Sequence, residues 1–295
     1  MPEFSAFRAS NSFFMQVFPR ISAFRAARKK LPADARIGLV PTMGALHRGH
    51  ASLVKKSVAE NDFTIVSIFV NPTQFGPNED FEQYPRDLDK DLALLDELGV
   101  DMVFTPSTTE IYPETSHFYF EIHQLADRLC GRSRPGHMNG VVQVVSILFH
   151  LCEPTHAYFG LKDYQQCRII EHLIRELHFP LKLVPCSIVR EADGLAFSSR
   201  NVYLSAGQRR DALFLYHTLR QLKKNFAQFQ TVDELQAFVQ AQLPRYPLVK
   251  LDYFEVLHGK TLQPLTELHN GEHVHAFLAA FLGQTRLIDN MRLDK

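Results

Sequence analysis

Two histidines three residues apart, His47 and His50, lie in the stretch Pro41–His50 (PTMGALHRGH), between a short apolar run and a segment of helical composition. Residues three apart share one face of a helical turn. The carboxyl end of a strand and the N-terminus of the following helix form a common site for anionic ligands. Gly44 and Gly49 allow the backbone to approach a ligand closely. The spacing therefore predicts a phosphate-binding turn whose imidazoles stabilise charge at a reacting phosphorus.

Two better-known phosphate loops are excluded by the sequence. No G-x-G-x-x-G follows a predicted strand, so the dinucleotide fingerprint is missing. The stretch Gly131–His137 (GRSRPGH) has the glycine spacing of a P-loop but ends in Gly-His, without Lys-Ser or Lys-Thr. An isolated H-x-x-H is most often a capped turn with incidental histidines, and only the strand, glycines and helix around this pair favour the functional interpretation.

The surrounding elements alternate between strand and helix patterns. Such repetition with short links is typical of a parallel sheet covered by helices on both faces, which predicts a Rossmann-like α/β architecture. The expected strands are Arg36–Thr42, Phe63–Val70, Val100–Thr105, His156–Gly160 and Leu181–Arg190, and the expected helices are His50–Asn61, Asp87–Gly99, Gly140–Cys152 and Asp163–His178.

After about residue 190 the pattern changes. Two capping boxes, at Ser205–Gln208 and Thr231–Glu234, each precede a helical stretch. Strand-like runs follow at Leu251–Leu257 and His273–Leu282. We therefore expect a Rossmann-like N-terminal domain over residues 1–187 and a smaller, lid-like C-terminal α+β domain over residues 188–295. Residues 1–14 are expected to form a flexible leader.

The composition argues against a nucleic-acid-binding protein and against a membrane protein. The 295 residues carry 32 Lys+Arg and 32 Asp+Glu, and a net charge of zero argues against binding a long nucleic acid. The four cysteines form no C-x-x-C pair, which predicts reduced thiols in a cytoplasmic protein. No apolar run approaches the ~20 residues that span a bilayer, so no membrane partner is expected.

The expanded turn PTMGALHRGH resembles the H-x-G-H signature of the nucleotidyltransferase superfamily and, in this form, the pantoate–β-alanine ligase family. The resemblance runs from about Met15 to the C-terminus. Further segments agree with this family in order: FVNPTQF (69–75), YPR (84–86), RPGHMNGV (134–141), FGLKDYQQ (159–166) and READGLAFSSRN (190–201).

The resemblance implies an ATP-dependent condensation of (R)-pantoate with β-alanine to pantothenate. ATP and pantoate would first give pantoyl adenylate and pyrophosphate, and the amine of β-alanine would then displace AMP. Such chemistry needs positioning and charge neutralisation rather than a protein nucleophile. The family also implies Mg²⁺ and a homodimer.

Residue roles follow from the resemblance, position by position. The catalytic residues would be His47, His50, Lys162, Ser198, Ser199 and Arg200. ATP would also contact Met43, Gly44, Ala45, Leu46, Arg48, Gly49, Gly160, Leu161, Asp163, Val189 and Phe197. Pantoate and β-alanine would contact Gln74, Gln166 and Arg134, and Asp91 would lie near the metal. Leu161 and Thr155 depart from the residues common in the family, and neither change removes a phosphate-binding group.

Three other functions are less consistent with these residues. Another adenylyl- or cytidylyltransferase of the same fold would form a dinucleotide, whereas Gln74 and Gln166 favour a small hydroxy acid. A catalytically silent nucleotide-binding protein would be expected to lack His47, His50 or Lys162. A tRNA-binding protein would need a further domain and a basic surface.

Overall fold

The computed structural model describes residues 15–77, 79–265, 267–268, 271 and 273–294. The leader expected over residues 1–14 lies outside them. The described chain divides into two compact units, one with residues 15–122, 134–160 and 169–186, the other with residues 123–133, 161–168 and 187–294. The second unit thus includes two short stretches that precede residue 187.

The first unit is built on a sheet of six parallel strands, β1 (Gln16–Phe18), β2 (Ile37–Thr42), β3 (Phe63–Ile68), β4 (Met102–Phe104), β5 (His156–Gly160) and β6 (Lys182–Cys186). Their order across the sheet is β1-β4-β3-β2-β5-β6. The central strands β2 and β3 are mostly apolar and buried on both faces, as is typical of parallel sheets.

Ten α-helices lie within the described residues. The four that begin at Arg48, Leu88, His137 and Tyr164 matter for the site, because their N-terminal ends follow the strands or loops that carry the predicted residues. The helices are α1 (Ile21–Arg28), α2 (Arg48–Glu60), α3 (Leu88–Glu97), α4 (Thr108–Ile111), α5 (Leu129–Ser133), α6 (His137–Cys152), α7 (Tyr164–Glu176), α8 (Ala206–Asp211), α9 (Leu213–Lys224) and α10 (Val232–Gln242).

The register of β2 and β3 fixes where the site begins. Thr42 pairs with Ile68, so both strands end side by side at one edge of the sheet. The segments that follow them, from residue 43 and from residue 69, therefore leave the sheet together. This is the edge at which open α/β proteins bind ligands.

The second unit contains an antiparallel sheet of three strands, β7 (Val249–His258), β8 (Val274–Leu282) and β9 (Thr285–Arg292). Helices α9 and α10 pack their apolar residues, among them Leu219 and Leu235, against this sheet. The predicted fold class, a Rossmann-like parallel sheet with a smaller α+β part, is confirmed. Within the described residues, no helix combines the length and apolar character needed to cross a bilayer.

Two strands, β1 and β9, were not predicted, and β6 is shorter than expected. The predicted strand to Arg190 ends at Cys186 because the following residues form a separate hairpin. Arg190 bridges Ala196, and the N–H of Phe197 donates to the Val189 carbonyl at 3.1 Å. The four cysteines are buried, and none of them forms a disulfide bond within the described part of the chain.

Candidate active site

The turn after β2 is held at its first residue by Thr42. The Thr42 hydroxyl donates to the Ser67 carbonyl at 2.7 Å and accepts from the Gly44 N–H at 3.2 Å. Gly44 has φ +80°, in the left-handed region, and a Cβ there would lie 3.0 Å from Oδ2 of Asp91. The backbone conformation of this position therefore favours glycine, and a Cβ would in addition make a tight contact with the Asp91 carboxylate.

Asp91, on the first turn of α3, holds the middle of the same turn. Its Oδ2 accepts from the Ala45 N–H at 2.8 Å and its Oδ1 from the Leu46 N–H at 2.7 Å. Burial raises the pKa of the Asp91 carboxyl, while these two hydrogen bonds act in the opposite direction. Because each oxygen of its carboxylate accepts a hydrogen bond from the turn, Asp91 holds the turn in place, and its role near a metal ion stays a prediction.

The two histidines lie together at the start of α2. The residue preceding the helix is His47, and its Nδ1 accepts from the Gly49 N–H at 3.1 Å. The rings of His47 and His50 stack with centroids 4.1 Å apart and an interplanar angle of 28°. A ring that accepts at Nδ1 carries its proton at Nε2, so the cap fixes the tautomer of His47. Arg48, by contrast, is exposed.

Gln74 ends a single 3₁₀ turn, Pro72–Gln74, shortly after β3. The buried Asn71 caps this turn, and its Nδ2 donates to Oε1 of Gln74 at 3.0 Å and to the Gly140 carbonyl at 3.1 Å. Tyr112 donates to Oδ1 of Asn71 at 3.0 Å. Asn71 thus fixes both the loop and the amide orientation of Gln74. Sequence reasoning did not single out Asn71, although its place before Pro72 is typical of a turn.

Arg134 lies beside the same loop, but its guanidinium has protein partners. It forms an ion pair with Glu79, and its Nη2 donates to the Gln74 carbonyl at 3.2 Å. Its Nη1 lies 3.0 Å from Nε2 of His137, whose Nδ1 lies 2.8 Å from the Gln74 carbonyl. Burial acts to raise the pKa of Glu79, but the hydrogen bond and charge of Arg134 outweigh it and hold that pKa below its usual value.

The second unit carries the predicted GLKD residues from Leu161 onward. Leu161–Asp163 forms a 3₁₀ turn, and Nζ of Lys162 lies 3.5 Å from Oδ1 of Asp163. The side-chain amide of Asn290 donates to the carbonyls of Leu161 at 2.9 Å and Lys162 at 3.0 Å. Gln166 is half-buried on the first turn of α7. Asn290 was not found from sequence, because its partners are more than 120 residues away.

The hairpin Val189–Phe197 leads into the predicted Ser198–Arg200 segment. Ser198 caps a 3₁₀ turn, Ser199–Tyr203, by accepting from the Arg200 N–H at 3.3 Å. Nδ2 of Asn201 donates to Oε1 of Glu191 at 2.9 Å and to the Ala196 carbonyl at 3.1 Å. The turn that carries Ser199 and Arg200 is therefore tied to the hairpin that precedes it.

The predicted residues thus fall into separate groups. In the first unit the structure joins Asp91 to the turn that carries His47 and His50, and Arg134 to the loop that carries Gln74. In the second unit Lys162 lies on a turn held by Asn290. Within the described ranges, no three His, Cys, Asp or Glu side chains lie together as a metal site. The roles assigned to these residues stay predictions.

Comparison with known proteins identifies a family and relatives to which the chain is similar. The chain matches the profile of the pantoate-beta-alanine ligase family over residues 16–292. It is 45% identical over 278 residues to the pantothenate synthetase of Thermosipho africanus, covering 94% of this chain and 99% of that one. It is 47% identical over 277 residues to that of Lysinibacillus sphaericus, covering 94% of this chain and 97% of that one.

Solved structures agree with these relatives. The crystal structure of pantothenate synthetase from Thermus thermophilus is similar with a TM-score of 0.89 and 41% identity, covering 95% of this chain and 100% of that one. The pantoate-beta-alanine ligase from Francisella tularensis, complexed with beta-gamma ATP and beta-alanine, gives a TM-score of 0.80 and 38% identity, covering 94% of this chain and 97% of that one.

Proposed function

The chain belongs to the pantoate–β-alanine ligase family and is an enzyme of that activity, and we propose that it joins (R)-pantoate to β-alanine through a pantoyl adenylate. In the first step a carboxylate oxygen of pantoate attacks the α-phosphorus of ATP, and pyrophosphate leaves. In the second step the β-alanine amine attacks the acyl carbon, loses a proton, and AMP leaves. Adenylation supplies the leaving group that a bare carboxylate lacks.

The observation that carries this proposal is the hydrogen bond accepted by Nδ1 of His47, from which its tautomer follows. Its Nδ1 accepts from the Gly49 N–H, so its Nε2 carries the proton and is a hydrogen-bond donor. His50 stacks on this ring at 4.1 Å. We assign both imidazoles to the phosphate oxygens of ATP, where fixed donors stabilise the charge that develops during attack on phosphorus. The backbone from Met43 to Gly49 would form the rest of the nucleotide turn.

Gln74 is assigned to the acid substrate. Asn71 donates to Oε1 of Gln74, which directs the Nε2 end of the amide to a ligand carboxylate or hydroxyl. A neutral amide suits a hydroxy acid, and Gln166 is proposed to contribute a second one. Arg134 was predicted to bind substrate directly. Its contacts with Glu79 and the Gln74 carbonyl support a different contribution, in which it holds the Gln74 loop in place.

The task of neutralising the negative charge on the leaving pyrophosphate is assigned to residues of the second unit. We propose that Lys162 supplies a point charge and that Ser198, Ser199 and Arg200 supply further donors. Gly160, Leu161, Asp163, Val189 and Phe197 are proposed to complete the ATP contacts. Whether residues 188–295 act as a lid over a domain formed by residues 1–187 stays a prediction.

Magnesium is proposed to arrive with the nucleotide as MgATP. Mg²⁺ is often bound through substrate phosphates and few protein carboxylates, which agrees with the occupied oxygens of Asp91. The homodimer implied by the resemblance is likewise a proposal, and sedimentation velocity of the purified enzyme tests it.

Isotope exchange tests the adenylate directly. The enzyme is incubated with MgATP, pantoate and labelled pyrophosphate, without β-alanine. A reversible first step returns label to ATP, and this exchange must depend on pantoate. Omitting pantoate is the matched control, and exchange that required β-alanine would contradict a separate adenylation step.

Oxygen transfer gives a second test. Pantoate labelled with ¹⁸O in its carboxylate should transfer one labelled oxygen to AMP when β-alanine is added, because the acyl–oxygen bond breaks in the second step. Product analysis by mass spectrometry measures this transfer. Unlabelled AMP, or release of ADP and phosphate, would contradict the proposed intermediate.

A further inference from the structure

Asn290, near the C-terminal end of β9, lies far along the chain from Lys162 but contacts its backbone. Asn290 is buried, with 5% of its surface exposed. Its Nδ2 donates to the carbonyls of Leu161 at 2.9 Å and Lys162 at 3.0 Å. One side-chain amide therefore uses both of its hydrogens on two consecutive carbonyls of the turn that carries the lysine.

The carbonyls of Leu161 and Lys162 set the orientation of that amide, and a contact with His275 on β8 holds its other end. Carbonyl oxygens only accept hydrogen bonds, so the atom of Asn290 that faces them must be the nitrogen. This directs Oδ1 of Asn290 to Nε2 of His275, at 2.8 Å. Because an amide oxygen has no proton to donate, Nε2 of His275 carries one.

Aromatic packing holds the imidazole in place. The ring of His275 lies 4.2 Å from that of Tyr164, the first residue of α7, and 4.7 Å from that of Phe277, measured between centroids. Burial lowers the pKa of His275 to about 4, so the ring is neutral at physiological pH. Two linked hydrogen bonds thus connect His275 through Asn290 to the backbone of Lys162.

Asp289, which precedes Asn290 in β9, holds a second segment that leads to predicted site residues. Asp289 forms a two-point ion pair with Arg190, with contacts of 2.6 and 2.9 Å. Arg190 is the second residue of the hairpin that precedes Ser198, and its guanidinium also lies over the ring of Tyr216. Consecutive residues of β9 therefore hold the two segments of the second unit to which phosphate binding is assigned.

We propose that Asn290 is a positioning residue for Lys162, and that His275 acts through Asn290 by holding the other end of its amide. Asn290 does not touch substrate in this proposal. It fixes the backbone from which the Lys162 side chain extends, so that the ammonium group is already in place when ATP binds. This inference rests on the proposed role of Lys162 in adenylation.

A double-mutant cycle tests the proposal by pantoate-dependent ATP–pyrophosphate exchange. Asn290→Ala should lower kcat/KM for ATP about tenfold, the effect expected from two lost hydrogen bonds between neutral groups. Lys162→Ala should lower it on the order of 10²-fold. In the Lys162→Ala background, Asn290→Ala should change the rate less than about twofold, because the group that Asn290 positions is gone.

Further variants separate positioning from folding. Asn290→Asp has nearly the same volume but presents an oxygen to two carbonyls, so it should lose at least as much activity as Asn290→Ala. If Asn290→Ala does not fold, Asn290→Asp is measured in its place. Asn225→Ala is the matched control, because Asn225 lies in the same unit after α9 and its side chain does not cap the following turn. That variant should keep the parent rate.

The outcomes separate this inference from the proposed function. An additive loss in the double variant, or parent-like rates for both Asn290 variants beside a slow Lys162→Ala, overturns the positioning role alone. A parent-like rate for Lys162→Ala overturns the lysine's assignment and this inference with it. A parent enzyme without pantoate-dependent exchange overturns the adenylate proposal itself.

Discussion

Asp91 and Ala45 are joined by a hydrogen bond of 2.8 Å, in which the carboxylate accepts from the backbone N–H. Ala45 has φ +49°, an unfavourable conformation for a residue with a Cβ, and Gly44 before it has φ +80°. Two successive left-handed residues expose consecutive N–H groups on one side of the turn. Asp91 satisfies two of them, those of Ala45 and Leu46, and so stabilises a turn that local preferences disfavour.

Replacing Asp91 should therefore affect both stability and catalysis. Asp91→Ala leaves two partly buried donors without acceptors, which should lower the free energy of unfolding by about 2 kcal/mol or more. The turn that carries His47 would also lose its support, so kcat/KM for ATP should fall about tenfold or more. Urea unfolding followed by circular dichroism and the exchange assay measure the two effects.

Asp96→Asn is the control for Asp91, because Asp96 lies exposed on the same helix. It should match the parent in both measurements. A fall in metal affinity without loss of stability in Asp91→Ala would instead support the metal role predicted from sequence.

His47 combines a capping role with its proposed catalytic role, and two substitutions separate them. His47→Ala removes the acceptor for the Gly49 N–H and should cost about 1 kcal/mol of stability. Asparagine is a good N-cap residue, so His47→Asn should keep most of that stability. Neither variant retains the Nε2 donor, and both should lose on the order of 10²-fold in adenylation rate.

Thermal unfolding and pyrophosphate exchange of the two His47 variants give the comparison. Normal exchange by His47→Asn would show that the imidazole serves only as a helix cap. Equal activity losses with unequal stabilities are the expected result.

Local sequence patterns predicted the first unit well, because its elements are encoded locally. Phe63–Ile68 (FTIVSI) is a mostly apolar run rich in β-branched residues, which is typical of a strand buried on both faces, and its end located the edge from which Gln74 emerges. The glycines and histidines of residues 44–50 likewise occur within seven positions. The turn and its helix could therefore be predicted before any tertiary contact was known.

Supporting contacts between distant residues could not be predicted in this way. Asn290 and Lys162 are 128 positions apart, and no periodicity relates them. Strand β9 mixes charged and apolar residues because Asp289 and Asn290 face polar partners within the unit, which obscured its strand pattern. Arg134 was predicted as a substrate ligand from its motif, while its ion pair with Glu79 depends on a chain path that only the structure gives.

Gly140 should control the position of the Gln74 loop. A Cβ on Gly140 would lie 2.1 Å from the Thr73 carbonyl oxygen and 2.5 Å from its carbon, so Gly140→Ala must push the loop away from α6. Backbone atoms cannot yield as a flexible side chain can. KM for pantoate should rise about tenfold or more, with a smaller effect on KM for ATP.

Gly76→Ala is the matched control for Gly140→Ala. Gly76 follows the same loop, and the atoms nearest to a Cβ there would be those of the Glu79 side chain, at 3.7 Å or more. Its kinetic constants should stay within about twofold of the parent. Equal KM values for pantoate in the parent and Gly140→Ala would contradict the proposed contact between Gln74 and the acid.

His275 should make the stability of the enzyme depend on pH. Burial lowers its pKa from 6.5 to about 4, the hydrogen bond to Asn290 acts to raise it, and the nearby charges of Arg292, Asp294 and Lys223 contribute in both directions. Above pH 6.5 the ring is neutral in both the folded and the unfolded state, so its titration does not reduce stability. As the pH falls from 6.5 towards 4, the unfolded state binds a proton that the folded state does not. The free energy of unfolding therefore decreases over this range, by at most about 3 kcal/mol.

His275→Gln removes the titrating group but keeps a donor for Asn290. Between pH 6.5 and 4, the unfolding free energy of the parent should therefore fall more steeply than that of the variant. Urea unfolding at half-unit pH steps, followed by circular dichroism because the chain has no tryptophan, measures both curves. His117→Gln, at an exposed histidine, should follow the parent curve. Parallel curves for the parent and His275→Gln would show that His275 titrates alike in both states.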